Sequence, residues 1–241
     1  MGGSEAFARD APAHDVLERA AELADLGEYE ESLTLAERAV QLDPTNAAAH
    51  VAKGWALENL GSERLAEARD AYRAALRVDA ESLWAAAGLA NVAERLGDRE
   101  EAARLFTHVA DTPVANHEDD PDVLEVVGWS RFKAGRFEDS QRLFRRALGL
   151  DPSLMAVQLD LALALLFSGK GDEALAEYRA ALVGDPFTIR AHAAVALDDL
   201  EHAIEGDLAD GPTGAPAAAR LLHSAAGGDP GLGKEGERDR R

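Results

Sequence analysis

The chain has 241 residues, a formal net charge of −20, 46% apolar residues and no cysteine. The absence of cysteine excludes disulfides, cysteine-ligated metal sites and a cysteine nucleophile. No apolar run reaches the roughly 18 residues that a membrane span needs. The strong negative charge also disfavours nucleic acid and anionic lipid as partners.

The N-terminal segment "MGGSEAFARDAP" has neither the basic region nor the apolar stretch of a secretory signal. We therefore expect residues 1–12 to be flexible and the protein to be cytoplasmic. Arginine greatly outnumbers lysine, which is a hint of a GC-rich bacterial genome.

From residue 13 onward, a helix–turn–helix pattern recurs through most of the chain. Each repeat carries a glycine between two helical patterns, and these glycines are 34 to 38 residues apart: Gly27, Gly61, Gly97, Gly135 and Gly169. A glycine at this place allows the left-handed backbone of a tight turn between helices. The sequence therefore predicts five helical hairpins, at 13–46, 47–82, 83–120, 121–154 and 155–188.

Two further features recur inside these units. Pro44, Pro152 and Pro186 each follow an aspartate and end a second helix, since proline cannot continue one. A small residue stands one turn before an aromatic residue, so that two helices can approach and the ring can fill the gap beside them. These pairs are Ala68 and Tyr72, Ala102 and Phe106, Ser140 and Phe144, and Ala174 and Tyr178.

Together these features resemble the tetratricopeptide repeat, a helix–turn–helix unit of about 34 residues. The match is best at residues 121–154, where the positions of the family pattern are occupied by Leu124, Val127, Gly128, Ser140, Phe144, Ala147 and Pro152. The resemblance implies an all-α, right-handed solenoid whose first helices line a concave groove. It also implies a protein that binds other proteins.

The repeats depart from the pattern at two places. The second unit has two extra residues around "GSERLAEA", and the third runs into the turn-rich connection "DTPVANHEDDP" at 111–121. This connection is either a hinge between two blocks of repeats or a plain insertion. The sequence leaves both possibilities open.

The chain changes character after the fifth unit. Residues 187–206 have apolar residues at helical spacing, which predicts a helix that caps the last repeat. From residue 207 to 241 the composition is rich in glycine, proline and charge, which predicts a disordered tail with at most a short helix at 215–226.

The family resemblance assigns particular positions of each first helix to the groove. All three tryptophans fall on these positions, among acidic residues, and the sequence predicts a partner-binding site there. The predicted residues are Trp55, Glu58, Trp84, Asn91, Glu94, Glu125, Trp129 and Phe132. The partner should be a peptide or helix with basic and apolar side chains, although the tryptophans could instead pack between helices or be covered by the chain's own tail.

No set of residues indicates catalysis. "GDPGLGKE" at 228–235 resembles a phosphate-binding loop, but Glu235 stands where a hydroxyl is required. The seven histidines show no metal-ligand spacing. We expect a non-enzymatic scaffold without cofactor or metal; the alternatives are a self-assembling array and an accessory subunit of an enzyme.

Overall fold

The computed structural model describes residues 12–116, 119–205 and 212–227. These ranges are helical and contain no strand, which confirms the all-α prediction. The predicted flexible segment 1–12 lies outside the described residues except for Pro12. The chain divides into two compact units, at residues 1–151 and 152–241.

The first unit contains four helical hairpins in a row. In each hairpin the two helices pack antiparallel, and the second helices of the first three hairpins also contact the first helix of the hairpin that follows. The helices are α1 (Ala13–Asp25), α2 (Tyr29–Leu42), α3 (Ala47–Leu60), α4 (Leu65–Val78), α5 (Leu83–Arg95), α6 (Arg99–Ala110), α7 (Pro121–Lys133) and α8 (Phe137–Leu150).

Polar side chains at the helix starts fix several of these boundaries. The Asn46 side chain accepts a hydrogen bond from the Ala49 N–H at 3.2 Å, and Ser82 does the same for Ala85 at 3.3 Å. Asp120 accepts from the N–H groups of both Asp122 and Val123. Each of these bonds satisfies backbone donors that have no partner within the helix.

The turn between the two helices of the second repeat differs from the corresponding turn of the fourth repeat. Gly135 has a φ of 75°, the left-handed conformation that the sequence predicts there. Gly61 has a φ of 134° and is followed by a 3₁₀ turn at Ser62–Arg64. The two extra residues of the second unit are thus absorbed in this turn, and the following helix keeps its place.

The aromatic residues of the second helices lie over glycines of the first helices. The Tyr72 ring on α4 is so close to α3 and α5 that a Cβ added at Gly54 or Gly88 would lie 2.8 or 2.3 Å from it. Phe144 stands in the same relation to Gly128, at 2.7 Å. Tyr72 and Phe144 are almost completely buried, which confirms the role predicted for the pairs of small and aromatic residues.

The connection at 111–121 lies inside the first compact unit. It contains a 3₁₀ turn at Val114–Asn116, and helices α6 and α7 on either side of it are in contact. The Arg136 guanidinium binds the Asp111 carboxylate at 2.7 Å, and Arg131 Nε donates to the Ala110 carbonyl at 3.2 Å. The connection is therefore an insertion within one compact unit, and the boundary between units falls at residues 151 and 152 instead.

The second unit contains α9 (Met155–Phe167), α10 (Gly171–Ala181), α11 (Pro186–Glu205) and α12 (Ala215–Ala225). Helices α9 and α10 form a hairpin, α11 contacts α9, and α12 contacts both α10 and α11. The helix predicted at 187–206 is thus present with nearly the predicted bounds.

Residues 212–227 of the predicted tail contain the short helix that the sequence analysis allows at 215–226. Helix α12 packs there with Ala215, Ala218 and Leu222 buried. Its segment combines good helix formers with a proline in the first turn, which an α-helix tolerates. Residues 206–211 and 228–241 lie outside the described residues.

A pair of glycine substitutions tests the packing of rings over glycines. Gly88→Ala should lower the free energy of unfolding by about 2 kcal/mol, because the added methyl group overlaps the buried Tyr72 ring. Gly149→Ala is the matched control, since this exposed glycine lies in α8 with no atom near its missing Cβ. It should leave stability unchanged or raise it by up to about 1 kcal/mol. Urea unfolding followed by circular dichroism measures both, and equal effects would contradict this account.

Candidate protein-interaction face

The predicted site residues lie on α3, α5 and α7, the first helices of the second, third and fourth repeats. Helix α5 contacts both α3 and α7, so the three helices form one continuous surface. We call it the first-helix face and define it by the residues Trp55, Trp84, Asn91, Glu94, Glu125 and Trp129.

Two of the three tryptophans are accessible on this face. Trp55 on α3 is 39% exposed, and Trp84 in the first turn of α5 is 42% exposed. Because tryptophan is the largest apolar side chain, two such rings on one surface leave considerable apolar area in contact with water. Both rings thus differ from the Tyr72 ring, which is almost completely buried between helices.

The third tryptophan has a partner. Trp129 is partly buried, and its Nε1–H donates a hydrogen bond to Asn91 Oδ1 at 3.0 Å. Its ring centroid is 5.4 Å from that of Phe132 and 5.6 Å from the Lys133 ammonium group. Trp129 and Asn91 therefore link α7 to α5 and hold part of the face in a defined position.

Phe132 does not belong to the accessible surface. It is only 5% exposed and packs between Trp129 and Phe137. The prediction that it anchors a partner is corrected here: Phe132 supports the Trp129 ring from inside the unit.

Glu58 is not a rim carboxylate either. It is only 5% exposed and accepts a hydrogen bond from Tyr72 Oη at 2.9 Å. Arg95 on α5 donates to the Glu58 carbonyl at 3.0 Å and lies 3.9 Å from the carboxylate. Burial and the neighbouring carboxylate raise the pKa of Tyr72 well above its usual value, so the phenol keeps its proton and can donate a hydrogen bond to Glu58.

Glu94 is neutralised by a neighbour as well. Lys133 on α7 forms an ion pair with Glu94 on α5, and the lysine side chain is largely buried. The Lys133 ammonium also lies 5.5 Å from the centroid of the Phe106 ring. The negative charge at this part of the face is therefore smaller than the sequence predicts.

These two ion pairs follow one rule that the sequence analysis missed. In each case the carboxylate occupies the twelfth position of a repeat, and the cation occupies the thirteenth position of the next repeat. Glu58 pairs with Arg95 in this way, and Glu94 pairs with Lys133. The signal was present in the sequence, because each cation directly follows a position assigned to the groove.

Glu125 remains without a cation. Glu125 is partly buried and makes no hydrogen bond or ion pair with any described residue. Burial raises the pKa of Glu125 to about 7, and the charges of Asp122 and Asp25 act in the same direction. Asp25 is the last residue of α1.

The described residues contain neither a metal-binding cluster nor a membrane-spanning helix. Among them, no cluster of histidine, aspartate and glutamate side chains is arranged to hold a metal ion. No helix within the described ranges is long and apolar enough to cross a membrane.

Comparison with known proteins identifies the repeat. One family model with the description tetratricopeptide repeat matches residues 17–81 and 128–188, and a second with the same description matches residues 85–122. The chain belongs to the tetratricopeptide repeat family. The resemblance inferred from the glycine spacing and the small–aromatic pairs is thereby confirmed.

The solved structure of one tetratricopeptide repeat protein supports the same fold, and two other solved structures are similar over most of the chain. TTC0263 from Thermus thermophilus is 22% identical over 77% of this chain and 98% of its own, with a TM-score of 0.55. PilF of Pseudomonas aeruginosa is 17% identical over 83% of this chain and 95% of its own, with a TM-score of 0.46. YrrB, described as having an unusual peptide-binding site, is 20% identical over 76% and 91% of the two chains, with a TM-score of 0.39. A search of curated proteins finds no significant match.

The raised pKa of Glu125 predicts a pH-dependent effect on stability. The folded state holds the Glu125 proton more tightly than the unfolded state does. The contribution of this proton to the free energy of unfolding is therefore fully present below about pH 4.5 and is lost as the pH rises to about 7. Glu125→Gln removes this loss, so it should raise the free energy of unfolding by about 2 kcal/mol more at pH 8 than at pH 5. Urea unfolding at the two pH values measures the difference, with Glu138→Gln as the control on the exposed start of α8. Equal behaviour of the two variants would show that Glu125 titrates normally.

Proposed function

We propose that this protein is a non-catalytic scaffold that holds a segment of a partner protein on its first-helix face. The observation that carries the proposal is the exposure of Trp55 and Trp84 on two adjacent helices of one rigidly packed unit. Tryptophan is the residue most enriched among binding hot spots, and a cluster of accessible rings is typical of an interaction surface.

The face is well suited to present these rings without rearrangement. Asn91 and Trp129 bind α5 to α7, Lys133 pairs with Glu94, and Arg95 binds the end of α3. Since the surface is already ordered, a partner would lose little binding energy to ordering it. The tetratricopeptide repeat family supports protein binding in general, and the assignment to this face is our proposal.

The partner proposed here supplies apolar side chains that cover Trp55 and Trp84. The sequence predicts basic side chains in the partner as well, but Glu58 and Glu94 are already neutralised. Much of the affinity should therefore come from apolar contacts, while the overall charge of −20 mainly increases the rate of encounter with a cationic segment. A cytoplasmic location stays a prediction from the sequence.

A peptide-display experiment tests the proposal. A library of random 12-residue peptides is selected for binding to the full chain, and dissociation constants of the enriched peptides are measured by fluorescence anisotropy. The double variant Trp55→Ala/Trp84→Ala should bind these peptides about 30-fold more weakly or worse, which corresponds to the loss of at least one hot spot of about 2 kcal/mol.

The chain offers a matched control for this experiment. Phe187 in the second compact unit is 61% exposed, so Phe187→Ala removes an accessible aromatic ring that is not one of the residues of the first-helix face. Selected peptides should bind this variant as tightly as the original chain. If the double variant keeps full affinity, or if the library yields no binder, the first-helix face is not the docking surface. If a self-assembling array is the correct alternative, light scattering will show oligomers that Phe187→Ala or the double variant disperses.

A further inference from the structure

We propose that the first-helix face receives one cationic side chain of its partner, a lysine or an arginine, against the carboxylate of Glu125. This inference rests on the proposed function, because it concerns the chemistry of a segment docked on the same face. It specifies where the positive charge of that segment lies.

The position of Glu125 on α7 supports the proposal. Glu125 is partly buried and keeps some accessible surface, so a side chain can reach it from outside. It lies one helical turn before Trp129 on α7, which places the two side chains on the same side of the helix. The aliphatic stem of a lysine or arginine bound at Glu125 could therefore lie against the Trp129 ring.

The charges that act on Glu125 also support the proposal. The charges that act on Glu125 are those of Asp122 on its own helix and Asp25 on α1, and both are carboxylates. No cation is among the groups that act on it from any described helix packed against α7. Lys133 lies eight residues further along α7, about 12 Å away at the rise of an α-helix, and is paired with Glu94.

The contrast with the other acidic residues of the face makes Glu125 distinctive. Glu58 and Glu94 each have a cation from the next repeat, supplied by a regular pattern of positions. Glu125 occupies a different position in its repeat and has no such partner among the described residues. A partly buried carboxylate without a counter-ion costs free energy when it is charged, and a cation from a partner would reduce that cost.

The chemistry of the site favours a side chain over a metal ion. No three suitable ligands among the described residues converge on one point. Lysine and arginine carry a single charge on a long apolar stem, which suits a recessed carboxylate beside an aromatic ring.

The test uses peptides selected by the full chain as described above, with each lysine replaced by norleucine and each arginine by citrulline in turn. For one position, this replacement should weaken binding to the original chain about tenfold at pH 8. The same replacement should change the affinity for Glu125→Gln less than about twofold, because the cation no longer has a carboxylate to bind. Glu138→Gln should behave like the original chain.

The pH dependence gives an independent readout. Because the pKa of Glu125 is about 7 in the free protein, it is mostly protonated at pH 6 and must lose its proton to bind a cation. The original chain should therefore bind the peptide about tenfold more weakly at pH 6 than at pH 8. The Glu125→Gln variant retains all histidines and should differ less than about twofold between the two pH values.

The outcomes separate this inference from the function on which it rests. If peptides bind through Trp55 and Trp84 but Glu125→Gln shows the same cation preference and the same pH dependence as the original chain, the inference is overturned and the proposed function stands. If no peptide binds, or if binding does not depend on the two tryptophans, the proposed function fails and the inference fails with it.

Discussion

The contact between the Tyr72 ring and two glycines determines how the middle repeats fit together. The ring belongs to a second helix, and it fills the space that side chains at Gly54 and Gly88 would otherwise occupy on two successive first helices. One aromatic residue thus fixes both the packing within a repeat and the approach of the next repeat. The spacing of α3 and α5, and with it the positions of Trp55 and Trp84, depends on this contact.

Tyr72 also connects the apolar core to the charges of the face. Its hydroxyl donates to Glu58, and Glu58 in turn lies beside Arg95 of the following repeat. A buried carboxylate would be unfavourable by itself, but here it has a hydrogen-bond donor on one side and a cation on the other. The same residue that packs against glycine therefore positions a polar link between repeats.

The fold could be predicted from the sequence because it is governed by local, repeating features. The turn glycines, the Asp-Pro ends and the small–aromatic pairs each have a direct structural reason, and they agree with one another along the chain. The short helix expected at 215–226 is present at Ala215–Ala225, although it lies within a segment whose overall composition is that of a disordered chain.

The candidate site could be predicted only in part. The repeat register indicates which side of each first helix faces outward, and on that basis Trp55 and Trp84 were identified. It does not indicate how side chains of successive repeats pair, since that depends on the distance and rotation between helices. Glu58, Glu94 and Phe132 were therefore assigned to an open surface although contacts with neighbouring residues occupy them. The effect of the Asp25 charge on the pKa of Glu125 was not predicted, because Asp25 belongs to a helix three repeats earlier in the sequence.

The arrangement of contacts has a consequence for folding kinetics. Extensive contacts join helices that are adjacent or next but one in the sequence. Such a short sequence separation between contacting residues is associated with fast folding, because little chain entropy is lost before the contacts form. The first hairpin is complete by Leu42, so native structure can begin to form on the ribosome while most of the chain is still being synthesised. Within the first compact unit, each later hairpin then adds to a surface that is already folded.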